Sequence, residues 1–248
     1  MEIRLLASRM WEYPLGLTPT PAGMVIKVFR NCENLSLKLF QRNEKEVWDS
    51  CPFPLESRVG DCWAMEVLIS KGEKKNLEYA LEDEKGEFPD PYGKTFSGQD
   101  SWGKESLWNK PRRSPVYIRE FDWEGDIPVE LDLRKSVIYR VHVRGFTKSA
   151  SSRAVQKGTF HGIVEKIPYL KSLGIDAVDL MPCAEFEELE KTAPSWSSLF
   201  HSSEAAFRMN YWGYKKALQF APKASYCTKR SRDPVREYQS MAKALHQA

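Results

Sequence analysis

The sequence has few of the features that mark secreted, membrane-bound or cofactor-dependent proteins. Its cysteines number five, an odd count, and none are spaced as CxxC, which argues against a disulfide framework and a zinc site. No apolar run is long enough to span a membrane, and residues 1–11 hold no stretch resembling a secretion signal. A glycine-rich phosphate loop and a GxSxG nucleophile elbow are both missing. We therefore expect a cytoplasmic protein with reduced thiols and no nucleotide or metal cofactor.

A dominant sign of charge is also missing. The chain of 248 residues has 37 Lys and Arg against 34 Asp and Glu, a formal net charge of +3. This mixture is typical of a solvated surface, so we expect no nucleic-acid partner and no membrane partner.

His142 falls within a predicted strand, where a hydrogen-bonded structural role is favoured over that of a base. The four histidines show no metal-ligand spacing such as HxxxH: His142, His161, His201 and His246.

Residues 1–110 have the periodicity of β-strands. Short runs alternate apolar with polar side chains, as in residues 35–39 and 77–82, and clusters of turn residues separate them. Strands of this length and spacing predict an antiparallel β-sandwich. Trp63 begins one of the alternating runs, so we expect it in the core.

Residues 111–136 resemble a connector more than a domain. Prolines and aromatic residues lie among charged residues without a clear period, which favours an extended, irregular backbone. Because aromatic residues are frequent here, we expect the connector to pack between two domains.

The strongest pattern lies between residues 137 and 182 and predicts one βαβ unit. Residues 137–143 are β-branched and aromatic, and residues 144–147 have turn chemistry. Thr159 is the predicted N-cap of a helix whose apolar residues recur every three or four positions, and Gly174 is placed to end it. Residues 175–181 have the length and composition of a buried parallel strand.

No sustained period follows between residue 183 and about residue 209. A loop of roughly 25 residues is uncommon in a compact domain and is usually functional or mobile. Because this segment follows a parallel strand, we expect it at the strand's C-terminal end, where barrel active sites are built. Its acidic cluster within residues 185–190 is typical of a solvated surface. Asp233 and Pro234 then mark the start of a further helix.

Five motifs, in this order, resemble a known family: VIYRVHVRGFT at 137–147, GTF at 158–160, IPYL at 167–170, LGI at 173–175 and LMP at 180–182. They are similar to the opening of the catalytic barrel in the α-amylase superfamily (glycoside hydrolase family 13), especially its isoamylase, pullulanase and glycogen-debranching branch. The resemblance implies an immunoglobulin-like β-sandwich in residues 1–110, similar to a family-48 carbohydrate-binding module, followed by an α/β domain. Residues 137–248 would be the first βα units of an incomplete TIM (β/α)8 barrel.

The activity that the resemblance implies is hydrolysis of α-1,6 linkages in glycogen, starch or pullulan, with retention of configuration. That mechanism needs two carboxyl groups about 5 to 5.5 Å apart. The family carries its catalytic carboxylates on later strands, and none of those motifs occurs here. Asp176 and Asp179 lie three apart on one strand and so point to opposite faces, and hydrogen bonding within the barrel is favoured for Asp179. We therefore assign no catalytic residue to this chain, and expect an N-terminal fragment that is inactive alone.

One substrate-binding residue is carried over from the resemblance. The motif NYWGY at 210–214 is similar to a family segment in which the tyrosine after the glycine forms the floor of the cleavage subsite. This assigns substrate binding to Tyr214. The residues themselves leave open a packed aromatic cluster of Tyr211, Trp212 and Tyr214 instead.

Two other functions stay open. The chain could be a non-catalytic glucan-binding protein, in which Trp11 or Trp48 stacks on a sugar; Trp48 is the better candidate because its neighbours are polar. A domain-packing role for Trp48 is at least as well supported. The chain could also be a fragment of a related amylase or branching enzyme, which the motif at 210–214 favours less.

Overall fold

The computed structural model describes residues 2–4, 10–42, 44–69, 76–104, 112–116, 120–191, 207–231 and 233–248. The chain divides into two compact units. The first comprises Met1–Gly98, Lys110–Glu120 and Gln219–Ala221. The second comprises Gln99–Asn109, Phe121–Leu218 and Pro222–Ala248.

The first unit is a β-sandwich of two antiparallel sheets, as the alternating pattern predicts. One sheet has the strand order β1-β7-β3-β2 with β6 beside β7, and the other has the order β10-β8-β4-β5 with β9 beside β8. The strands are β1 (Glu2–Arg4), β2 (Gly16–Pro19), β3 (Gly23–Phe29), β4 (Ser36–Gln41), β5 (Val47–Pro52), β6 (Arg58–Val59), β7 (Cys62–Leu68), β8 (Leu77–Asp83), β9 (Gly86–Phe88) and β10 (Ser114–Pro115). Short 3-10 turns occupy Met10–Glu12 and Leu55–Ser57.

The sandwich core contains apolar side chains from both sheets, including Ile26 and Met65 of one and Leu39 and Leu81 of the other. Trp63 is fully buried in this core, and its indole Nε1 donates a hydrogen bond to the Arg30 carbonyl at 3.0 Å. The core position expected for Trp63 is therefore confirmed.

The strand β10 comes from the segment that was expected to be an irregular connector. Its register pairs Ser114 with Tyr79 and Pro115 with Glu78 of β8. A two-residue strand is too short to show a period in the sequence, which explains why the pattern did not reveal it. Residues 105–111 and 117–119, which include Trp108 and Tyr117, lie outside the described residues.

The second unit contains the predicted βαβ arrangement. The strands β11 (Ile138–Val141) and β12 (Ala177–Leu180) pair in parallel, with Arg140 opposite Asp179. Between them lie the helices α1 (Val143–Lys148), α2 (Phe160–Val164) and α3 (Ile167–Ser172), and a 3-10 turn at Ala150–Ser152. The first strand ends two residues earlier than predicted, and the expected turn at 144–147 is helical.

The predicted single helix after Thr159 is two short helices. Thr159 is the N-cap as predicted, because its hydroxyl accepts the Gly162 amide at 3.1 Å. The break follows from Pro168, which has no N–H to donate to the preceding turn and whose ring crowds that turn's carbonyl. The second helix ends as predicted at Gly174, which has φ +70°. There the Gly174 amide bonds the Lys171 carbonyl and the Ile175 amide bonds the Leu170 carbonyl, which is a Schellman motif.

The segment expected to be an aperiodic loop contains short strands. β13 (Ala184–Phe186) pairs antiparallel with β16 (Ala217–Pro222), and β14 (Leu189–Lys191) pairs antiparallel with β15 (Phe207–Met209). A 3-10 turn at Ala224–Tyr226 leads towards the helix α4 (Pro234–His246). Asp233 caps α4 by accepting the Arg236 amide at 3.0 Å, as its sequence predicts. Residues 192–206 of the expected loop lie outside the described part of the chain.

The parallel sheet is less buried than the composition of β12 suggests. All four residues of β12 are half-buried, and Ile138 of β11 is 50% exposed. Tyr139, Val178 and Leu180 face the core of the second unit, whereas Arg140 and Asp179 form an ion pair on the other face. The expectation of a fully buried strand was therefore wrong, because core residues cover one face of this two-stranded sheet and the other carries charge.

Among the described residues, no helix has both the length and the apolar character that crossing a membrane requires.

Candidate functional site

The candidate site is built around the segment Asn210–Tyr214, and its first anchor is Asn210. The Asn210 amide donates to the Glu188 carbonyl at 2.7 Å, and its side-chain Nδ2 donates to the Glu187 carbonyl at 2.9 Å. Its Oδ1 accepts the Gly213 amide at 3.3 Å. Asn210 therefore ties this segment to the two residues that connect β13 with β14, and also closes a turn within the segment.

Gly213 is the second anchor, because only glycine fits there. Its φ is +75°, and a Cβ built on it would lie 2.5 Å from the ring of Phe186. Phe186 is itself 1% exposed, so its ring has little freedom to move away. The backbone of the segment thus lies directly against a fixed aromatic ring.

Tyr211 is the third anchor and contacts the end of β11. Its ring stacks on the imidazole of His142, with the ring centres 4.5 Å apart and the planes 14° apart. Its hydroxyl lies against Gly145 of α1, where a Cβ would approach within 2.9 Å. The ring of Trp102 meets Tyr211 edge-on at 5.8 Å. Tyr211 is therefore a packed residue.

His142 joins this segment to the end of β11. Its Nδ1 accepts the Gly145 amide at 2.9 Å, so the proton of the neutral ring lies on Nε2. Nε2 is 2.9 Å from the Tyr211 carbonyl, to which it donates, and 3.1 Å from the Tyr226 hydroxyl. Burial lowers the pKa of His142, with a smaller contribution from Arg144 in the same direction and an opposing one from the Tyr211 bond. The hydrogen-bonded structural role expected for His142 is confirmed.

The three anchors leave two aromatic side chains of the segment in solvent. Trp212 is 54% exposed and Tyr214 is 65% exposed. The packed-cluster interpretation therefore describes Tyr211 but not Tyr214. The hydrogen bond to Asp179 raises the pKa of Arg140, with smaller contributions from the charge of Asp179 and from Tyr214 in the same direction.

Beneath the segment lies a buried charge network that the sequence pattern did not predict. Lys223 is 1% exposed, and its Nζ lies 2.6 Å from Glu185 Oε1 and 2.8 Å from Glu188 Oε1. Glu185 also accepts the Ala224 amide at 2.8 Å, and Glu188 accepts the Ser225 hydroxyl at 2.8 Å and the Gly103 amide. The expectation that residues 185–190 form a solvated surface is wrong for Glu185 and Glu188, because an ammonium and neighbouring N–H and O–H donors replace water around them.

Other acidic side chains near the site also have hydrogen-bond or ion-pair partners within the chain. Asp176 accepts the Val137 amide at 2.8 Å, and Asp179 accepts Arg140 Nε at 2.5 Å, the hydrogen-bonded role favoured for it. Glu190 pairs with Lys215. The geometry thus gives these carboxylates a role in holding backbone and side chains in place.

Cysteine side chains can also act as metal ligands. Among the described residues, no group of three or more His, Cys, Asp or Glu side chains could hold a metal ion. All five cysteines are free. Burial raises the pKa of Cys51 and of Cys183 to about 11, and that of Cys227 to about 12. These three thiols are therefore protonated at neutral pH.

In the sandwich, both tryptophans singled out from the sequence are exposed, Trp48 at 42% and Trp11 at 67%. Lys27 Nζ lies 5.1 Å from the centre of the Trp11 ring, a cation–π distance. A sugar-stacking role for either ring stays a prediction.

Comparison with known proteins gives relatives along nearly the whole chain, although no family model matches it. Isoamylase 1, chloroplastic, of Oryza sativa subsp. japonica is 31% identical over 94% of this chain and 31% of that protein. The glycogen debranching enzyme of Serratia proteamaculans (strain 568) is 34% identical over 95% of this chain and 37% of that protein. The chain thus spans well under half the length of these relatives.

Among solved structures, pullulanase from Paenibacillus barengoltzii in complex with maltohexaose and alpha-cyclodextrin matches with a TM-score of 0.69 and 20% identity. The match covers 94% of this chain and 36% of that one. At this identity the likeness shows a shared fold. Together with the sequence relatives, it confirms the predicted resemblance of this chain to the isoamylase, pullulanase and glycogen-debranching branch.

Proposed function

We propose that this chain forms the N-terminal β-sandwich and the first βα units of the (β/α)8 barrel of an α-glucan debranching hydrolase. The reaction would be retaining hydrolysis of α-1,6 linkages in glycogen, starch or pullulan, with the catalytic carboxylates on later strands. The observation that carries the proposal is the segment Asn210–Tyr214, which is anchored at three points and holds Tyr214 65% exposed. An exposed ring on an anchored segment of backbone is suited to stacking on the apolar face of a sugar.

The parallel sheet supports the barrel part of the proposal. Parallel strands occur almost only in sheets covered on both faces. Here Ile138 is 50% exposed, and the charged pair of Arg140 and Asp179 lies on the same face of the sheet. In a closed barrel that face would line the interior, below the C-terminal ends of the strands where active sites are built.

The relatives support the substrate class. The names of two of them are isoamylase and glycogen debranching enzyme, and a neighbouring pullulanase was solved with maltohexaose and alpha-cyclodextrin. For this chain we accordingly propose an α-glucan as the ligand and Tyr214 as a residue that contacts it. For its compartment we propose the cytoplasm, on the strength of the five free thiols, although the name of the rice relative specifies the chloroplast.

Expression of the complete reading frame that contains these 248 residues tests the proposal. We call its product the complete gene product. We expect it to release reducing ends from pullulan and to carry the motif Asp-x-x-x-x-Asn-His beyond residue 248. Binding of glucan without release of reducing ends would instead favour the non-catalytic glucan-binding alternative.

The role of Tyr214 has its own test in the complete gene product. Tyr214→Ala should remove about 2 to 4 kcal/mol of transition-state stabilisation, roughly a 30- to 1,000-fold loss in kcat/KM. Tyr214→Phe keeps the ring and should lose far less. Tyr169→Ala, at a tyrosine of α3 that is 48% exposed, is the matched control. Normal turnover by Tyr214→Ala per folded molecule would end the binding assignment.

A further inference from the structure

We propose that His142 is a positioning residue whose ring, in one tautomer, latches the segment Asn210–Tyr214 to the C-terminal end of β11. The latch would hold Trp212 and Tyr214 in the orientation in which a glucan meets them. This last step rests on the proposed function, whereas the latch itself does not.

The acceptor side of the ring is fixed by the chain's own helix. His142 is the N-cap of α1, and its Nδ1 accepts the Gly145 amide at 2.9 Å. A nitrogen that accepts an N–H cannot carry a proton of its own, so the backbone of α1 selects the tautomer. The sequence places this histidine directly after Val141, the last residue of β11.

The donor side of the ring holds the segment. Nε2 donates to the Tyr211 carbonyl at 2.9 Å, across 69 residues of sequence. The same ring stacks on Tyr211 and meets Trp212 edge-on at 5.7 Å. One imidazole thus bonds the backbone of the segment and packs against two of its side chains.

The latch depends on a neutral ring. A second proton, on Nδ1, would point at the Gly145 N–H and abolish the cap. The groups that face His142 supply no carboxylate to balance an imidazolium, since Arg144 of α1 is itself cationic and the hydrogen-bond partners from Tyr211 and Tyr226 are a carbonyl and a hydroxyl. The lowered pKa of His142 agrees with this arrangement. Acid should therefore release the segment.

A role as helix cap alone would explain the bond of His142 to the Gly145 amide but not its bond to the Tyr211 carbonyl. One substitution separates capping from latching. His142→Asn keeps a good N-cap, because Asn is among the best residues at that position. Its side chain is too short to reach the Tyr211 carbonyl as well. His161→Asn, at an exposed histidine of α2, is the matched control.

The first experiment uses this chain and no substrate. Long-range ¹H–¹⁵N spectra should show the Nε2–H tautomer for His142. In His142→Asn the amides of Asn210 and Gly213 should exchange roughly five- to tenfold faster, the equivalent of one lost hydrogen bond, while the Gly145 amide stays protected. In the unsubstituted chain, the protection of Asn210 and Gly213 should fall as the pH drops through the titration of His142, and in His142→Asn this pH dependence should vanish.

The second experiment measures kcat/KM of the complete gene product on pullulan. His142→Asn should lower it by roughly tenfold, and His161→Asn should leave it unchanged. An Nδ1–H tautomer, or unchanged exchange at Asn210 and Gly213, would overturn the latch. Faster exchange with unchanged kcat/KM would overturn the positioning role. A complete gene product without hydrolase activity would overturn the proposed function, and the exchange data would then decide the latch alone.

Discussion

The buried network around Lys223 gives the sharpest test of how the second unit is held together. Lys223→Met keeps most of the side-chain volume but removes an ammonium that lies 2.6 Å from Glu185, 2.8 Å from Glu188 and 2.9 Å from the Phe186 carbonyl. Two carboxylates would then remain buried without a cation. Breaking a buried ion pair by removing one partner typically costs about 3–5 kcal/mol. We expect the upper part of this range, because both carboxylates lose the same ammonium.

Hydrogen exchange measured by mass spectrometry can resolve this loss within the chain. The Lys223 amide donates to the Cys183 carbonyl at 2.7 Å, and peptides that cover this region should lose roughly 1,000- to 5,000-fold in protection. Peptides from β3 and β7 of the first unit serve as the internal control. They should exchange as in the unsubstituted chain, because the two units have separate cores.

A triple variant isolates the electrostatic part of the loss. In Glu185→Gln, Lys223→Met, Glu188→Gln, each amide oxygen can still accept the Ala224 amide or the Ser225 hydroxyl, but no charge remains. Neutral replacements of buried ion networks are often close to neutral in stability, so this variant should recover most of the protection. If Lys223→Met costs less than about 1 kcal/mol, or if the triple variant is no more protected than Lys223→Met, the charges of the network do not stabilise the second unit.

Three further predictions concern other sites. Gly213→Ala should destabilise the second unit by about 1–3 kcal/mol more than Gly125→Ala does, because both glycines have φ near +75° but only Gly213 faces the Phe186 ring. Equal rates of amide hydrogen exchange in the two variants would contradict this. Burial raises the pKa of Asp90, so its contribution to stability is present below about pH 3.9, the pKa of an unfolded Asp, and is lost as the pH rises through the folded-state value. In urea unfolding of the first unit, the free energy of unfolding of Asp90→Asn should therefore rise relative to that of the unsubstituted chain from pH 4 to pH 7. A difference in unfolding free energy that stays constant over this range would refute the prediction. Finally, these 248 residues alone should release no reducing ends from pullulan above a heat-killed control, and release with contaminating amylase excluded would refute the assignment of no catalytic residue.

Elements that are stabilised locally could be predicted from the sequence. Alternation of apolar and polar residues predicts the sandwich because each strand has one face in the core. Thr159, Gly174 and Asp233 predict helix ends because each satisfies backbone groups within a few residues of itself. The break in the helix after Val164 has a local signal too, because Pro168 lies inside the apolar stripe, but the periodicity of the stripe does not register a proline.

The supports of the candidate site could not be predicted, because their partners are far apart in sequence. Glu185 meets Lys223 across 38 residues, and His142 meets Tyr211 across 69. A run of glutamates has the same pattern whether water or a distant lysine solvates it. The strands in or near which Glu185, Lys223 and Tyr211 lie are three to six residues long, too short for periodicity to separate them from a loop.

A chain of contacts connects the buried charge of Lys223 with the exposed ring of Tyr214. Lys223 bonds the carbonyl of Phe186 at 2.9 Å, and its Nζ lies 4.7 Å from the centre of that ring. The Phe186 ring is the surface on which Gly213 rests, and the Glu188 carbonyl accepts the Asn210 amide at 2.7 Å. An interior ion network therefore fixes two of the three anchors of the segment, and His142 fixes the third. Because the segment carries its ring on the residue next to Gly213, loss of the buried ammonium should loosen Tyr214 without touching it.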